Sequence, residues 1–171
     1  MVHTIHLDLT PFRFPLLQTF SVRQDVPITM EMPLFLRHHS TLTTLELQST
    51  TIDDLGAAPI HVPRLLHFAG TNRIMDALVF GPCLRDIYIQ WTPNISIAVI
   101  EKTLRAFALS VDSVRTFRSD NTALPLQFLD TLSRILPRIS LLSVDLQEIG
   151  PNVSTLAGGG LFIRLLISIS L

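Results

Sequence analysis

The chain has 171 residues, of which 47% are hydrophobic and only 16% charged, with a formal net charge of −1. That length allows one domain with a substantial core, and the charged share lies well below the roughly 25% of an ordinary globular chain. With no long run of either sign, nothing calls for a nucleic-acid or anionic-membrane partner, and no stretch reaches the roughly 18 uninterrupted apolar residues of a transmembrane helix.

Cys83 is the single cysteine, which excludes an internal disulfide framework and a multi-thiolate metal site; it reads as a buried thiol. Met1 to Thr10 lack a basic segment followed by an apolar one, so no secretory signal is read and an intracellular location, cytoplasmic or nuclear, is expected.

A short pattern recurs along the chain: an apolar residue, a second three positions on, a third two positions after that. In chain order the copies are Val2/Ile5/Leu7, Leu17/Phe20/Val22, Leu42/Leu45/Leu47, Leu65/Phe68/Gly70, Leu84/Ile87/Ile89, Val114/Phe117/Ser119 and Ile139/Leu142/Val144. Gly70 and Ser119 break the third apolar position. The starts lie about 23 residues apart on average, within the 20–29 residue range of leucine-rich repeats.

Residues two, four and six positions after each start are polar almost throughout, Ala69 and Leu141 being the plain exceptions. Alternation of this kind predicts strands with one buried and one wet face, near Thr4–Leu7, Thr19–Val22, Thr44–Leu47, His67–Ala69, Asp86–Ile89, Thr116–Arg118 and Leu141–Val144. Leu45, Ile87 and Leu142 are expected to be fully buried.

Between strands the spacing becomes helical. Leu34 to His39 forms a short candidate after Pro33, Asn72 to Phe80 a second, ended by Gly81-Pro82. Ile97, Ile100, Leu104 and Phe107 share one helix face, with Asn94 or Ser96 as cap. Leu124, Phe128, Leu132 and Leu136 repeat the arrangement, with Pro125 in the first turn and Pro137 at the end.

A doubly wound sheet is covered on both sides and its strands read as continuous apolar runs. These strands alternate, so the expected fold class is α/β with a one-sided parallel sheet and helices on the convex side. Residues 1–150 hold about seven units, and residues 151–171 a divergent tail or a truncated eighth repeat at Phe162/Leu165/Ile167. Neither end has the polar cap that closes a solenoid, so a fragment is expected, and the uncharged window from Leu165 to Leu171 is expected to promote aggregation.

The segments Ser40 to Leu47 and Gly81 to Ile89 resemble the strand segments of leucine-rich repeats. Val62-Pro63-Arg64-Leu65-Leu66-His67-Phe68 and Leu136-Pro137-Arg138-Ile139 resemble the repeat region of fungal F-box proteins. The resemblance covers roughly Val2 to Leu146. It implies a leucine-rich-repeat horseshoe whose concave face takes a protein partner, often a substrate of a ubiquitin ligase. The family's asparagine, eight positions after each start, is replaced here by Thr10, Asp25, Thr50, Arg73, Thr92, Thr122 and Gln147, so no asparagine ladder is expected. No F-box helices stand before the first repeat, so direct docking to a ligase adaptor is not expected of this chain.

No motif points to an enzyme, a cofactor or a metal. His3 and His6 fall on opposite faces of a strand, and His38-His39 meet the negative end of a helix dipole. Asp53-Asp54 reads as a solvated turn. Gly158-Gly159-Gly160 lacks the lysine of a phosphate loop. The surface that invites a partner is the polar strand face around Tyr88 and Arg118, with Asp86, Gln90 and Asp120 beside them and Trp91 at the edge. Tyrosine, tryptophan and arginine are the enriched hot-spot types of protein interfaces.

Overall fold

The structure is a computed structural model, and it describes residues 12–22, 31–48, 58–120, 124–125, 127–147 and 162–168. The first predicted strand, the Asp53-Asp54 turn and the glycine run fall outside these residues. The chain runs through β1 (Thr19–Val22), α1 (Glu31–Arg37), β2 (Thr44–Leu47), β3 (Ile60–Val62), β4 (His67–Thr71), β5 (Leu78–Phe80), β6 (Asp86–Gln90), α2 (Ile97–Arg105), β7 (Thr116–Asp120), α3 (Phe128–Ile135), β8 (Leu141–Gln147) and β9 (Phe162–Ser168).

The fold is α/β, with a seven-stranded sheet in the order β1-β2-β4-β6-β7-β8-β9. Its first six strands are parallel and follow one another in chain order, and each begins at the residue expected from the alternating pattern. Parallel neighbours are joined through intervening segments that cover one face, as the hand of such connections requires.

One backbone arrangement recurs at the entries of β2, β4, β6, β7 and β8. The carbonyl of Gln18 accepts the N–H groups of both Thr43 and Thr44, at 2.8 and 2.9 Å. Thr43 O does the same for Leu66 and His67, Leu66 O for Arg85 and Asp86, Arg85 O for Arg115 and Thr116, and Arg115 O for Ser140 and Leu141. Each acceptor stands one residue after the first apolar anchor of its unit. This pins the units in register, and hydroxyls reinforce it: Thr41 Oγ1 donates to Leu17 O at 2.8 Å and Ser113 Oγ to Leu84 O at 2.8 Å.

Register then stacks like on like. Phe20, Leu45, Phe68, Ile87, Phe117 and Leu142 form one row across the sheet. Leu45, Leu47, Phe68, Ile87, Ile89, Phe117 and Val144 are buried, while Thr44, Glu46, His67, Asp86, Tyr88, Thr116 and Arg118 between them are half or fully exposed. The sheet is thus covered on one face and open on the other.

The covering layer is built from unlike pieces. In α2, Ile100 and Leu104 turn inward with Phe107 beyond the end. Ser96 is its N-cap and accepts a long hydrogen bond from Val99 N at 3.4 Å, after Asn94 takes a left-handed φ of 57°. Phe128, Leu132 and Leu136 line the inner face of α3 and its end. Phe128 N donates to Pro125 O at 2.8 Å, so Pro125 lies in the turn that leads into the helix rather than inside it. Glu101 on α2 links the two helices through Arg105 at 2.7 Å and Arg134 at 3.2 Å. The hydrogen bond from Arg105, aided by the charge of Arg134, holds its carboxyl below the ordinary glutamate range.

Asn72 to Phe80 does not form the single helix that its spacing predicts. A 3-10 helix covers Asn72–Ala77, and Leu78–Phe80 is strand β5. β5 pairs in parallel with β3, a strand with no counterpart in the sequence reading, through Ile60↔Leu78 and Val62↔Phe80. A run of Leu-Val-Phe has strong strand character, and burial of Ile60, Val62, Leu78 and Phe80 decides the matter.

Three further expectations change. Cys83 is exposed, because it stands in the Gly81 to Leu84 turn outside the core. Leu142 is only half-buried, because an open apolar groove between α3 and β8 borders it, with Leu132, Leu136 and Ile139. β9 runs antiparallel to β8 over Leu141↔Ser168 to Gln147↔Phe162, opposite to the direction of a stacked eighth unit.

His39 behaves as expected of a histidine at a helix end. Its buried ring donates from Nδ1 to Phe35 O at 2.6 Å, and Nε2 accepts the Phe14 N–H at 3.0 Å, so the imidazole ties the segment before β1 to α1.

The burial pattern yields a graded test. Leu45→Ala and Ile87→Ala should each cost about 2–5 kcal/mol by lost burial plus cavity. Leu142→Ala should cost clearly less than either, and Thr44→Ala should stay near the ~0.5 kcal/mol of a surface change. Urea titration of the four variants reads this order; equal costs at Leu45 and Thr44 would reverse the facing assignment.

Candidate functional site

The open face carries two rows of side chains, one from each unit. The first is Thr19, Thr44, His67, Asp86, Thr116 and Leu141; the second is Ser21, Glu46, Ala69, Tyr88, Arg118 and Ser143. Apart from Ser143, which is buried, they reach the solvent side because the strand period of two turns their neighbours into the core. A shallow depression of about 250 Å³ lies among them, lined by Thr44, Glu46, His67, Ala69, Asp86, Tyr88, Thr116 and Arg118.

Ala69 explains the depression. Every other member of its row has a polar side chain, so the one methyl leaves a gap between Glu46 on β2 and Tyr88 on β6. The polar groups around it are fixed. Glu46 accepts from Ser21 Oγ at 2.8 Å. His67 Nδ1 meets Asp86 Oδ2 at 2.5 Å, across the register pair His67↔Asp86. Arg118 is exposed and forms no ion pair among the described residues.

Of the six residues that the sequence singles out, three meet here. Asp86, Tyr88 and Arg118 line the depression together. Gln90 is half-buried farther along β6 and pairs with Asp120 through the backbone; the side chain of Asp120 lies outside what is described.

Trp91 is not at the surface. It is 4% exposed, packs edge-on against Phe128 at 6.2 Å, and donates from Nε1 to Ser119 Oγ at 2.9 Å. As the first residue after β6 it falls on the core side of the alternation, so it anchors α3 to the sheet rather than edging a binding face.

The sequence reading passed over Glu46, His67 and Ala69, although all three stand at the facing positions it identified. Ranking by hot-spot residue type favoured Tyr and Arg; a hollow is marked by the smallest residue in a row.

Asn72, one position before Arg73, is buried and accepts the Thr92 N–H on Oδ1 at 2.8 Å.

Chemically the site can hold a cation or donor-rich group at the Ala69 hollow and an anion at Arg118. The hydroxyls that line the depression beside the His67–Asp86 pair belong to Thr44, Thr116 and Tyr88. Among the described residues no group of three or more His, Cys, Asp or Glu is placed to hold a metal ion, and no helix is long and apolar enough to cross a membrane.

The Trp91 contact gives a separable test. Ser119→Ala removes a buried partner of the indole N–H and should cost about 1–3 kcal/mol of stability. The open-face residues should keep their solvent exposure, read by amide exchange of β6 and β7. An unchanged melting curve would argue against the Trp91–Ser119 bond.

Comparison of the chain with protein-family models, with curated proteins and with solved structures finds no match.

Proposed function

We propose that this chain is a leucine-rich-repeat solenoid that binds a protein partner on its open sheet face and does not act as an enzyme. The carrying observation is the one-sided sheet: six parallel strands in chain order, pinned by the same two-donor carbonyl at the entries of β2, β4, β6, β7 and β8, with one face buried and the other lined by His67, Asp86, Tyr88 and Arg118. Concave solenoid faces are usual binding surfaces because each unit contributes one side chain per row to a continuous strip. The resemblance to fungal F-box repeats makes a ubiquitin-ligase substrate the first partner class to try.

The mechanism is contact rather than chemistry. Tyr88 offers a large ring with few rotamers to freeze, and Arg118 offers planar donors to a carboxylate. Asp86 is held by His67 and so is pre-oriented, which lowers the ordering cost of binding.

Quantitative capture from extract compares the intact chain with two variants. Tyr88→Ala/Arg118→Ala should lose its specific partner by about 30-fold or more, the scale of a hot-spot loss of ~2 kcal/mol. Arg105→Ala on α2 should capture the same protein unchanged. Equal capture by all three would count against the open face.

A further inference from the structure

We infer that the Ala69 hollow seats an arginine side chain of the protein partner. This rests on the open face being the binding face, and it names the group that enters it.

The shape comes first. Adjacent strands stand roughly 4.8 Å apart, so Glu46 and Tyr88 flank Ala69 with their Cα atoms about 9–10 Å from each other. A gap of that width admits one flat group between a carboxylate and an aromatic ring. The depression totals about 250 Å³ and is open to solvent, so a side chain can enter from a bound partner.

Chemistry then selects the flat group. Glu46 presents a carboxylate steadied by Ser21 Oγ. Asp86 presents a second carboxylate, held in place by His67 Nδ1. Tyr88 adds the negative face of its ring, which attracts cations. On the side of the gap away from Arg118 the charged groups that could meet an incoming side chain are thus the carboxylates of Glu46 and Asp86, beside the Tyr88 ring. A guanidinium supplies five donors in a plane and stacks on aromatic rings. An ammonium matches the charge but not the flat gap, and a carboxylate would meet Glu46 and Asp86 with like charge.

Arg118 sets the direction. It lies beyond Tyr88 in the same row, so a cation is favoured on the Glu46 side and repelled on the Arg118 side. The partner's arginine thus enters at Ala69, with neutral or acidic groups passing over Arg118.

The test uses the full chain and a defined probe. Acetyl-Gly-Arg-Gly-amide is titrated while the backbone amides are followed by NMR, beside the same peptide with citrulline, which keeps the shape and lacks the charge. The arginine peptide should shift Glu46, Ala69 and Tyr88 together, and citrulline should bind at least about tenfold more weakly. Glu46→Gln should weaken the arginine peptide several-fold. Ala69→Leu, which fills the gap, should abolish the shifts at Glu46 and Tyr88 in a chain whose circular dichroism is unchanged; if that variant does not fold, Glu46→Gln decides. Equal binding of both peptides, or shifts centred on Glu101 of α2 instead, overturns the inference. Should that happen while partner capture still depends on Tyr88 and Arg118, the binding face stands and only its arginine pocket is lost. If capture is independent of them as well, both readings fall.

Discussion

A single carbonyl at the entries of β2, β4, β6, β7 and β8 accepts two successive N–H groups from the following unit, and the rest of the structure depends on this contact. Gln18, Thr43, Leu66, Arg85 and Arg115 all supply it. A one-residue slip at any of them would exchange the buried and exposed rows of every strand beyond it. Because no slip occurs, apolar anchors stack on apolar anchors from Phe20 to Leu142, and the polar residues between them collect on the opposite face. The open polar strip is a consequence of the same register that builds the core.

The broken repeats fit the same logic. Gly70 takes the place of an apolar anchor because the volume is already used: a Cβ there would lie 2.8 Å from both Ile74 Cδ1 and Phe68 Cζ. Ser119 replaces the anchor in its unit because Trp91 fills the layer and needs an acceptor for its indole N–H. Gly81 answers a backbone constraint instead, since an added Cβ would fall on the Pro63 carbonyl, and its own carbonyl accepts from Ser110 Oγ. Each departure is compensated by a neighbour in space, which is how a degenerate array keeps a close-packed interior.

Strands were legible in the sequence because a period of two survives even when one anchor is lost: His67 is exposed, Phe68 buried, Ala69 half-buried and Gly70 buried, although Gly70 brings no apolar side chain. The helices α2 and α3 were legible through Ile100, Leu104, Phe128 and Leu132. What could not be read is where a short apolar run lacks a period. Leu78-Val79-Phe80 fits a helix end or a strand equally, and only its pairing with Ile60 to Val62 decides. The direction of β9 was likewise invisible, since alternation is the same in parallel and antiparallel strands. At the site, Asp86, Tyr88 and Arg118 follow from the alternation; so does the burial of Trp91, two residues past Ile89, where Phe128 and Ser119 from later units receive it.

The central claim is that one face of this sheet is covered and the other open from β1 to β7. Relaxation of side-chain resonances by a soluble gadolinium chelate measures it directly. The account predicts strong relaxation at Thr44, Ala69, Tyr88, Thr116 and Arg118, and little at Leu45, Phe68, Ile87 and Phe117, alternating residue by residue along each strand. Comparable protection of both sets would mean that a second layer covers the open face, and would contradict the one-sided fold and the binding surface built on it.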